Sequence, residues 1–95
     1  MPHKDKEEAR LYKKLKRHWN REFVKRVKKL LCCVDCGEKD HIVLEFDHVR
    51  GEKVGSIANM AASYSISSLK KEMRKCEVRC ANCHRRRHFR EKNSK

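Results

Sequence analysis

Two pairs of cysteines with identical spacing limit what this chain can fold into. Cys33 and Cys36 form the first pair, Cys80 and Cys83 form the second, and two residues separate the members of each pair. A tight turn of this length aims both sulfurs at one ion, and four thiolates suit tetrahedral zinc. The pairs lie far apart in the chain. One shared ion would therefore close a long loop and contribute directly to the free energy of folding.

The cellular compartment decides whether these cysteines bind metal or form disulfides. A chain of 95 residues, 38% hydrophobic and 41% charged, buries little surface and usually needs a staple. The first ten residues are charged throughout, no signal peptide is visible, and no apolar run approaches the length that spans a membrane. We therefore expect a cytoplasmic protein with reduced thiols and no membrane contact. Zinc is favoured over disulfides, and the alternative is a set of core cysteines without metal.

The remaining cysteines and the nearby histidines leave some choice of ligands. Cys32 could replace Cys33 only with a wider spacing, so we favour Cys33, and we interpret Cys76 as a buried apolar residue. A competing finger-type site would use Cys80, Cys83, His84 and His88. Neighbours on a helix lie about 100° apart around its axis, so Cys83 and His84 would converge poorly on one ion. We therefore expect two separate metals.

The second metal site would combine a histidine pair with an acidic residue. His84 and His88 are four residues apart and would lie on one face of a helix. Asp47 offers a carboxylate, a hard ligand for Mg²⁺ or Mn²⁺, and the adjacent His48 can take a proton near neutral pH. Successive side chains of a strand point to opposite faces, so both can serve one site only if the strand twists or ends there. The alternative is surface histidines and turn-forming residues.

The charge of the chain points to a polyanionic partner. The formal net charge is +13, and the excess is concentrated in residues 1–31. Apolar residues spaced four apart predict a helix from about residue 5 to 31, either continuous or broken near Trp19 and Asn20. We expect this stripe to pack in the core, with a partner-binding groove as the alternative, and the basic faces to contact DNA. The stripe contains Leu11, Leu15, Trp19, Phe23, Val27 and Leu30 or Leu31.

The rest of the chain shows weaker signals. Residues 42–47 are rich in β-branched and apolar side chains and predict a strand, with a hairpin partner near Val49. Residues 57–65 are compatible with a helical turn or a loop. Two further helices are predicted at residues 69–75, capped by Ser67 or Ser68, and at residues 83–92, capped by Asn82.

The order of these motifs resembles the zinc-stabilised HNH endonucleases of bacteria and phages, which have the ββα-metal (treble-clef) fold. The resemblance covers about residues 32–90. It is carried by the first cysteine pair, the segment Leu44–Val49 with its Asp-His dipeptide, and the run from Cys80 to His88. It implies a small α+β protein, with residues 1–31 as a basic helical extension, residues 32–92 as the nuclease domain and residues 93–95 as a frayed tail.

The resemblance also implies roles for individual residues. His48 corresponds to the general base that activates water, and Asp47 and His84 to ligands of a single catalytic divalent ion. His88 corresponds to a further histidine that some members use at the metal or the phosphate. The family's central asparagine, which orients the base, is replaced here by Lys75. Asn59, Asn82, another group or a backbone carbonyl could take its place.

The expected function is hydrolysis of DNA phosphodiester bonds with little sequence specificity, using structural zinc and catalytic Mg²⁺ or Mn²⁺. The alternative is a non-catalytic zinc module that binds nucleic acid, or an adaptor in a phage packaging or repair assembly. DNA is the expected partner, together with a second copy of the chain or a nucleic-acid-processing protein of the phage or bacterium. The expected phosphate contacts are Arg17, Arg21, Lys25, Arg50, Lys53, Arg85, Arg86, Arg87 and Arg90.

Overall fold

The computed structural model describes residues 6–93, which form a small α+β unit with a two-stranded antiparallel sheet. The elements are α1 (Lys6–Lys29), a 3₁₀ turn (His41–Val43), β1 (Leu44–His48), α2 (Ile57–Met60), α3 (Ile66–Met73), β2 (Cys76–Cys80) and α4 (Ala81–Asn93). The expected α+β class and long N-terminal helix are confirmed. Residues 1–5 of the expected extension and residues 94–95 of the expected frayed tail lie outside the described residues.

Helix α1 is one continuous helix of 24 residues. It contains no proline or glycine, and Glu7 and Glu8 in its first turn oppose the positive end of the helix dipole. Asn20 does not break the helix. Its side chain is buried and donates hydrogen bonds to the backbone oxygens of Ala61 (3.1 Å) and Tyr64 (2.7 Å). A polar side chain therefore fixes α1 to the turn that follows α2.

The apolar stripe packs in the core only around Phe23. Phe23 contacts the core, whereas Leu11, Leu15 and Trp19 are 57%, 38% and 61% exposed, so the expectation of core packing is wrong for these three. It is also wrong for Leu30 and Leu31, which are 86% and 42% exposed and lie beyond the end of α1. Each step of four residues turns about 40° further around a helix, and a stripe with this spacing therefore winds away from the core.

No helix in the described part of the chain is both long enough and apolar enough to cross a bilayer.

The sheet pairs two strands that are distant in sequence. β1 and β2 run antiparallel, with Leu44 opposite Cys80 and His48 opposite Cys76. The predicted hairpin with Val49 is wrong, because the amide of Val49 donates to the backbone oxygen of Lys75 instead. The first strand also begins later than predicted. Asp40 accepts a hydrogen bond from the amide of Ile42 and caps the 3₁₀ turn that precedes β1.

The ends of the later helices differ from the predicted ones. The hydroxyl of Ser65, rather than that of Ser67 or Ser68, accepts from the amide of Ser68 and caps α3 at its start. α4 begins directly after β2, so Asn82 lies inside its first turn and is not its cap. The direct passage from β2 into α4 fixes the start of α4 beside the sheet.

Two small apolar clusters form the interior. The first contains Cys33, Leu44, Val78, Cys80 and Cys83. The second contains Ile57, Met60, Ala61 and Leu69. Phe46 of β1 packs against both clusters. β1 therefore connects the cysteine-rich half of the molecule to the half that holds α1.

Replacing Asn20 with Ala should destabilise the protein. The backbone oxygens of Ala61 and Tyr64 would lose their partner, and a buried unpaired polar group costs about 1–3 kcal/mol. We expect the free energy of unfolding in urea to fall by about that amount, measured by circular dichroism. The matched control is His18→Ala on the same helix, where the side chain is exposed and the change should stay within about 0.5 kcal/mol. Equal stability of the two variants would show that Asn20 does not fix α1.

Candidate metal centres

The structure brings the four paired cysteines together. The sulfurs of Cys33, Cys36, Cys80 and Cys83 all lie within 4.8 Å of one another. Those of Cys36 and Cys80 are 3.7 Å apart. A tetrahedral ion with Zn–S bonds of about 2.3 Å separates its sulfurs by about 3.8 Å. The cluster therefore has the donors and the spacing to hold one zinc ion.

Local backbone geometry presents each pair of thiols. After Cys36, Gly37 adopts φ +80° and its amide donates to the backbone oxygen of Cys33 (2.9 Å), which closes the first turn. This left-handed conformation favours glycine because the residue has no Cβ. In the second pair, Cys80 ends β2 and Cys83 lies in the first turn of α4, with its amide 3.5 Å from the Cys80 sulfur.

The acidities of the thiols reflect their crowding. Burial acts to raise the pKa of Cys33, but backbone hydrogen bonds at Cys80, Cys36 and Asp35 outweigh it and lower the pKa to about 6. The neighbouring thiol of Cys80 and burial raise the pKa of Cys83 to about 12. The thiol of Cys33 therefore loses its proton more readily than an ordinary cysteine, and the thiol of Cys83 loses its proton less readily. A bound divalent cation would favour the thiolate form of all four residues and offset half of their negative charge.

The structure also separates the other sulfurs and histidines from this cluster. Cys32 is exposed and lies outside it. Cys76 is partly buried, and its thiol lies 3.4 Å from the backbone oxygen of Glu72. Burial, followed by the charges of Glu72 and Asp47, raises the pKa of Cys76 to about 11. The alternative finger-type set does not assemble, because His84 and His88 converge on Asp47.

A second cluster joins β1 to α4. The Oδ1 atom of Asp47 lies 3.3 Å from Nε2 of His84 and 3.5 Å from Nε2 of His88. Metal–nitrogen and metal–oxygen bonds of about 2.0–2.1 Å in a tetrahedral site place ligand atoms about 3.4 Å apart. The donor atoms of the three side chains all lie within 4.8 Å of one another, close enough to hold one divalent ion. Asp47 is only 1% exposed, whereas His88 lies at the surface.

Neighbouring side chains orient two of these ligands. Glu45 Oε1 accepts from Nδ1 of His84 at 2.7 Å, which turns the opposite ring nitrogen towards Asp47. A carboxylate behind a ligating imidazole is the arrangement that many metal sites use. Arg79 donates to Oδ2 of Asp47 at 2.9 Å. The buried carboxylate is thereby held with Oδ1 facing the histidines.

Arg87 shares the carboxylate of Asp47. Its Nη1 atom lies 3.1 Å from both oxygens of Asp47, and its Nη2 atom lies 2.6 Å from Glu91. Among the basic residues expected to contact phosphate, Arg87 therefore already binds Asp47, a residue of the candidate metal site. Arg50 is engaged elsewhere, donating to the backbone oxygens of Arg74 and Cys76. The remaining side chains of that group are exposed: Arg17, Arg21, Lys25, Lys53, Arg85, Arg86 and Arg90.

His48 leaves β1 towards a different helix from Asp47. Its Nε2 atom lies 2.8 Å from Oε2 of Glu72 in α3, whereas Asp47 contacts α4. Glu72 is 1% exposed, and Oε2 also accepts from the amide of Val54 (3.0 Å). Its other oxygen accepts from Nζ of Lys75 (2.9 Å). The imidazole of His48 is thus held by a carboxylate that has three donors.

These contacts keep Glu72 ionised. Burial alone would raise its pKa, but the hydrogen bonds from Lys75, Val54 and His48 outweigh burial and lower the pKa to about 2. An ionised acceptor fixes Nε2 of His48 as the donor and leaves Nδ1 with a free lone pair. Sequence reasoning missed Glu72. The available signal was an acid at an inward position of α3, three residues after the buried Leu69.

The two asparagines considered for the central position lie elsewhere. Asn59 and Asn82 are both exposed, and among the described residues no hydrogen bond joins either of them to His48. Lys75, which stands where the HNH resemblance would expect an asparagine, donates to Glu72 and to the backbone oxygen of Glu52 (2.6 Å). The residue at that place therefore reaches the partner of His48 and not His48 itself.

The described residues thus contain two clusters with metal-binding geometry, one of four thiols and one of a carboxylate with two imidazoles. His48 and Glu72 form a hydrogen-bonded pair at the end of the same strand. Comparisons of the chain with protein-family models, with curated proteins and with solved structures gave no match.

Replacing Cys80 with Ser should abolish tight binding of zinc. A hydroxyl is a poor substitute for a thiolate, and metal binding by converging ligands is coupled to folding. We expect elemental analysis to find zinc in the wild type and to find none in the purified variant, which should also melt at a lower temperature. Cys32→Ser is the matched control, because Cys32 is adjacent to the cluster but outside it. Equal zinc content in the two variants would contradict the assignment.

Proposed function

We propose that this protein is a metal-dependent endonuclease of the HNH type that hydrolyses DNA phosphodiester bonds. The observation that carries the proposal is the convergence of Asp47, His84 and His88, with an adjacent histidine held by the buried Glu72. The order of β1, β2 and α4 around a four-thiol cluster agrees with a ββα-metal core stabilised by zinc. A module that only binds nucleic acid would gain nothing from two buried carboxylates that each contact histidine.

The cluster of Asp47, His84 and His88 would hold the catalytic ion. A divalent ion there would neutralise charge on the phosphate and stabilise the departing 3′ oxygen. The chain supplies one carboxylate oxygen from Asp47 and one imidazole nitrogen each from His84 and His88. Two imidazoles favour Mn²⁺ and the later transition ions over Mg²⁺, which prefers oxygen ligands. Arg79 keeps the carboxylate of Asp47 in place, because it binds the oxygen that faces away from the histidines.

His48 would act as the general base. Nε2–H donates to Glu72, so Nδ1 is the atom that takes a proton from the attacking water. The negative charge of Glu72 stabilises the imidazolium that forms, as the carboxylate of a catalytic triad does. β1 ends at His48, so its imidazole lies at the edge of the sheet, one residue from Asp47.

Basic residues would hold the DNA on either side of the cut. Arg85, Arg86 and Arg90 are exposed on α4, the helix that carries both histidine ligands. Guanidinium groups bind phosphate oxygens in a bidentate manner. Such contacts read the backbone and not the bases, which agrees with low sequence specificity. The resemblance implies products with 5′-phosphate and 3′-hydroxyl ends.

Replacing His48 with Ala should abolish most cleavage. General-base catalysis contributes about 10²- to 10⁴-fold, so we expect the rate of plasmid nicking to fall within that range. Nicking would be measured by gel electrophoresis across a panel of divalent ions, with Mn²⁺ expected to support more activity than Mg²⁺. The control is His18→Ala in α1, which should cut at the wild-type rate. An unchanged rate for the His48 variant would leave a zinc-stabilised module that binds nucleic acid without cutting it.

Replacing Glu72 with Gln should slow cleavage without weakening DNA binding. Gln can still orient the imidazole but cannot stabilise its charged form, and loss of such a supporting partner typically costs about 10- to 100-fold in activity. We expect kcat to fall by about this factor while KM stays the same. Glu7→Gln in α1 is the matched control, because it makes the same change at an exposed side chain, and its kcat should stay at the wild-type value. A merely structural role for Glu72 would predict that Glu72→Gln loses thermal stability and activity in parallel.

A further inference from the structure

Helix α1 carries a straight row of basic side chains that is distinct from its apolar stripe. Arg10, Lys14, Arg17, Arg21 and Lys25 follow one another at gaps of four, three, four and four residues, and all are exposed. These gaps average close to the 3.6 residues of one helical turn, so the five residues stay within an arc of about 80° around the axis. We call this row the basic ridge.

The basic ridge lies beside the packed face of α1 and away from the acid in the middle of the helix. Asn20, Phe23 and Val24 mark the face that packs against the rest of the protein, and this face is centred about 110° around the axis from the ridge. Glu22 is the single acidic residue of α1 beyond its first turn, and it lies about 100° around the axis from Arg21. The ridge therefore presents an uninterrupted line of positive charge from Arg10 to Lys25.

The ridge is long enough to span several base pairs of a duplex. Fifteen residue steps separate Arg10 from Lys25, which at about 1.5 Å per step gives about 22 Å. Each strand of B-DNA carries one phosphate per about 3.4 Å of rise, so the ridge can follow about six base pairs. A rigid helix with one basic side chain per turn thus matches a rigid polyanion.

The composition of the surrounding faces argues against two other polyanions. Single-stranded nucleic acid is gripped by aromatic side chains that stack on its bases, and the ridge contains none. A membrane surface would require basic residues that flank an exposed apolar face. The exposed apolar residues Leu11, Leu15 and Trp19 are centred about 120° from the ridge, with Glu22 on their own side of the helix.

We propose that the basic ridge of α1 docks along the phosphate backbone of double-stranded DNA and supplies much of the affinity of the protein for its substrate. The proposal rests on the proposed nuclease function, which supplies DNA as the substrate, and it concerns only how that DNA is bound. α1 then acts as a sequence-independent arm, separate from the ligands on β1 and α4. The substrate class is duplex DNA that extends beyond the bond to be cut.

The test compares two variants that remove the same charge from the same helix. Lys14→Gln/Arg21→Gln lies on the ridge, and Lys16→Gln/Arg26→Gln lies on other faces of α1. Binding of a labelled short DNA duplex is measured by fluorescence anisotropy between about 50 and 200 mM salt, without added divalent ion. Each phosphate contact contributes about 0.9 to the slope of log K against log salt. We expect the ridge variant to lose about 1.8 from the slope and the control variant less than half of that.

Each outcome decides the proposal. Equal losses in the two variants would mean that α1 contributes only net charge, and no loss in either would mean that the ridge is not in contact, so both results overturn the proposal. A larger effect on single-stranded DNA or on anionic vesicles than on the duplex would also overturn it. Circular dichroism and melting temperatures of both variants confirm that α1 remains folded.

Failure of the binding arm can be distinguished from failure of the nuclease function. If the ridge is correct and the nuclease function is not, the slope changes as expected while the wild type cuts no plasmid. If the nuclease function is correct and the ridge is not, His48→Ala stops cutting while the two charge variants bind DNA alike.

Discussion

The convergence of four sulfurs is the constraint on which the rest of this structure depends. Three of the four cysteines, Cys33, Cys80 and Cys83, are also members of the first apolar cluster. The packing of that apolar cluster therefore depends on the two cysteine pairs coming together. Neither cluster is large, and an isolated two-stranded sheet is marginally stable. A chain with a net charge of +13 also repels itself when compact. An ion held by the thiols would offset these penalties, because its binding free energy adds to that of folding.

Two buried carboxylates lie on either side of this framework. Asp47 is held by Arg79 and faces α4, and Glu72 is held by Lys75 and faces the end of β1. Burying charge is costly unless each group is paired and hydrogen-bonded, and so small a domain can accommodate few such groups. Both carboxylates contact histidine, and the dipeptide Asp47-His48 connects them. Ionised acids at the centre of a small domain are characteristic of functional sites.

The sequence predicted what local spacing determines and missed what distant contacts determine. The cysteine pairs and the long helix α1 were predictable, because each follows from a short motif or from helical periodicity. The meeting of Asp47 with His84 and His88 was expected from the chemistry of their donor atoms and from the HNH resemblance, and not from local spacing. The partner of β1 was not, since β2 lies almost thirty residues further along the chain. Asn20 looked neutral because its acceptors lie forty-one and forty-four residues away. Glu72 was missed because no local pattern reveals that a buried acid faces His48.

Lys75 stands where the HNH resemblance would expect an asparagine, and its contact with Glu72 gives the lysine a physical role there. A neutral carbonyl can orient an imidazole, but it stabilises the imidazolium less than a carboxylate does. A buried carboxylate in turn needs a cation to remain ionised, and Lys75 provides it. Lys75 also holds the backbone of Glu52, and Glu72 holds that of Val54. The loop after β1 is therefore tied to the same two side chains as His48, so order in this loop and orientation of the proposed base are coupled.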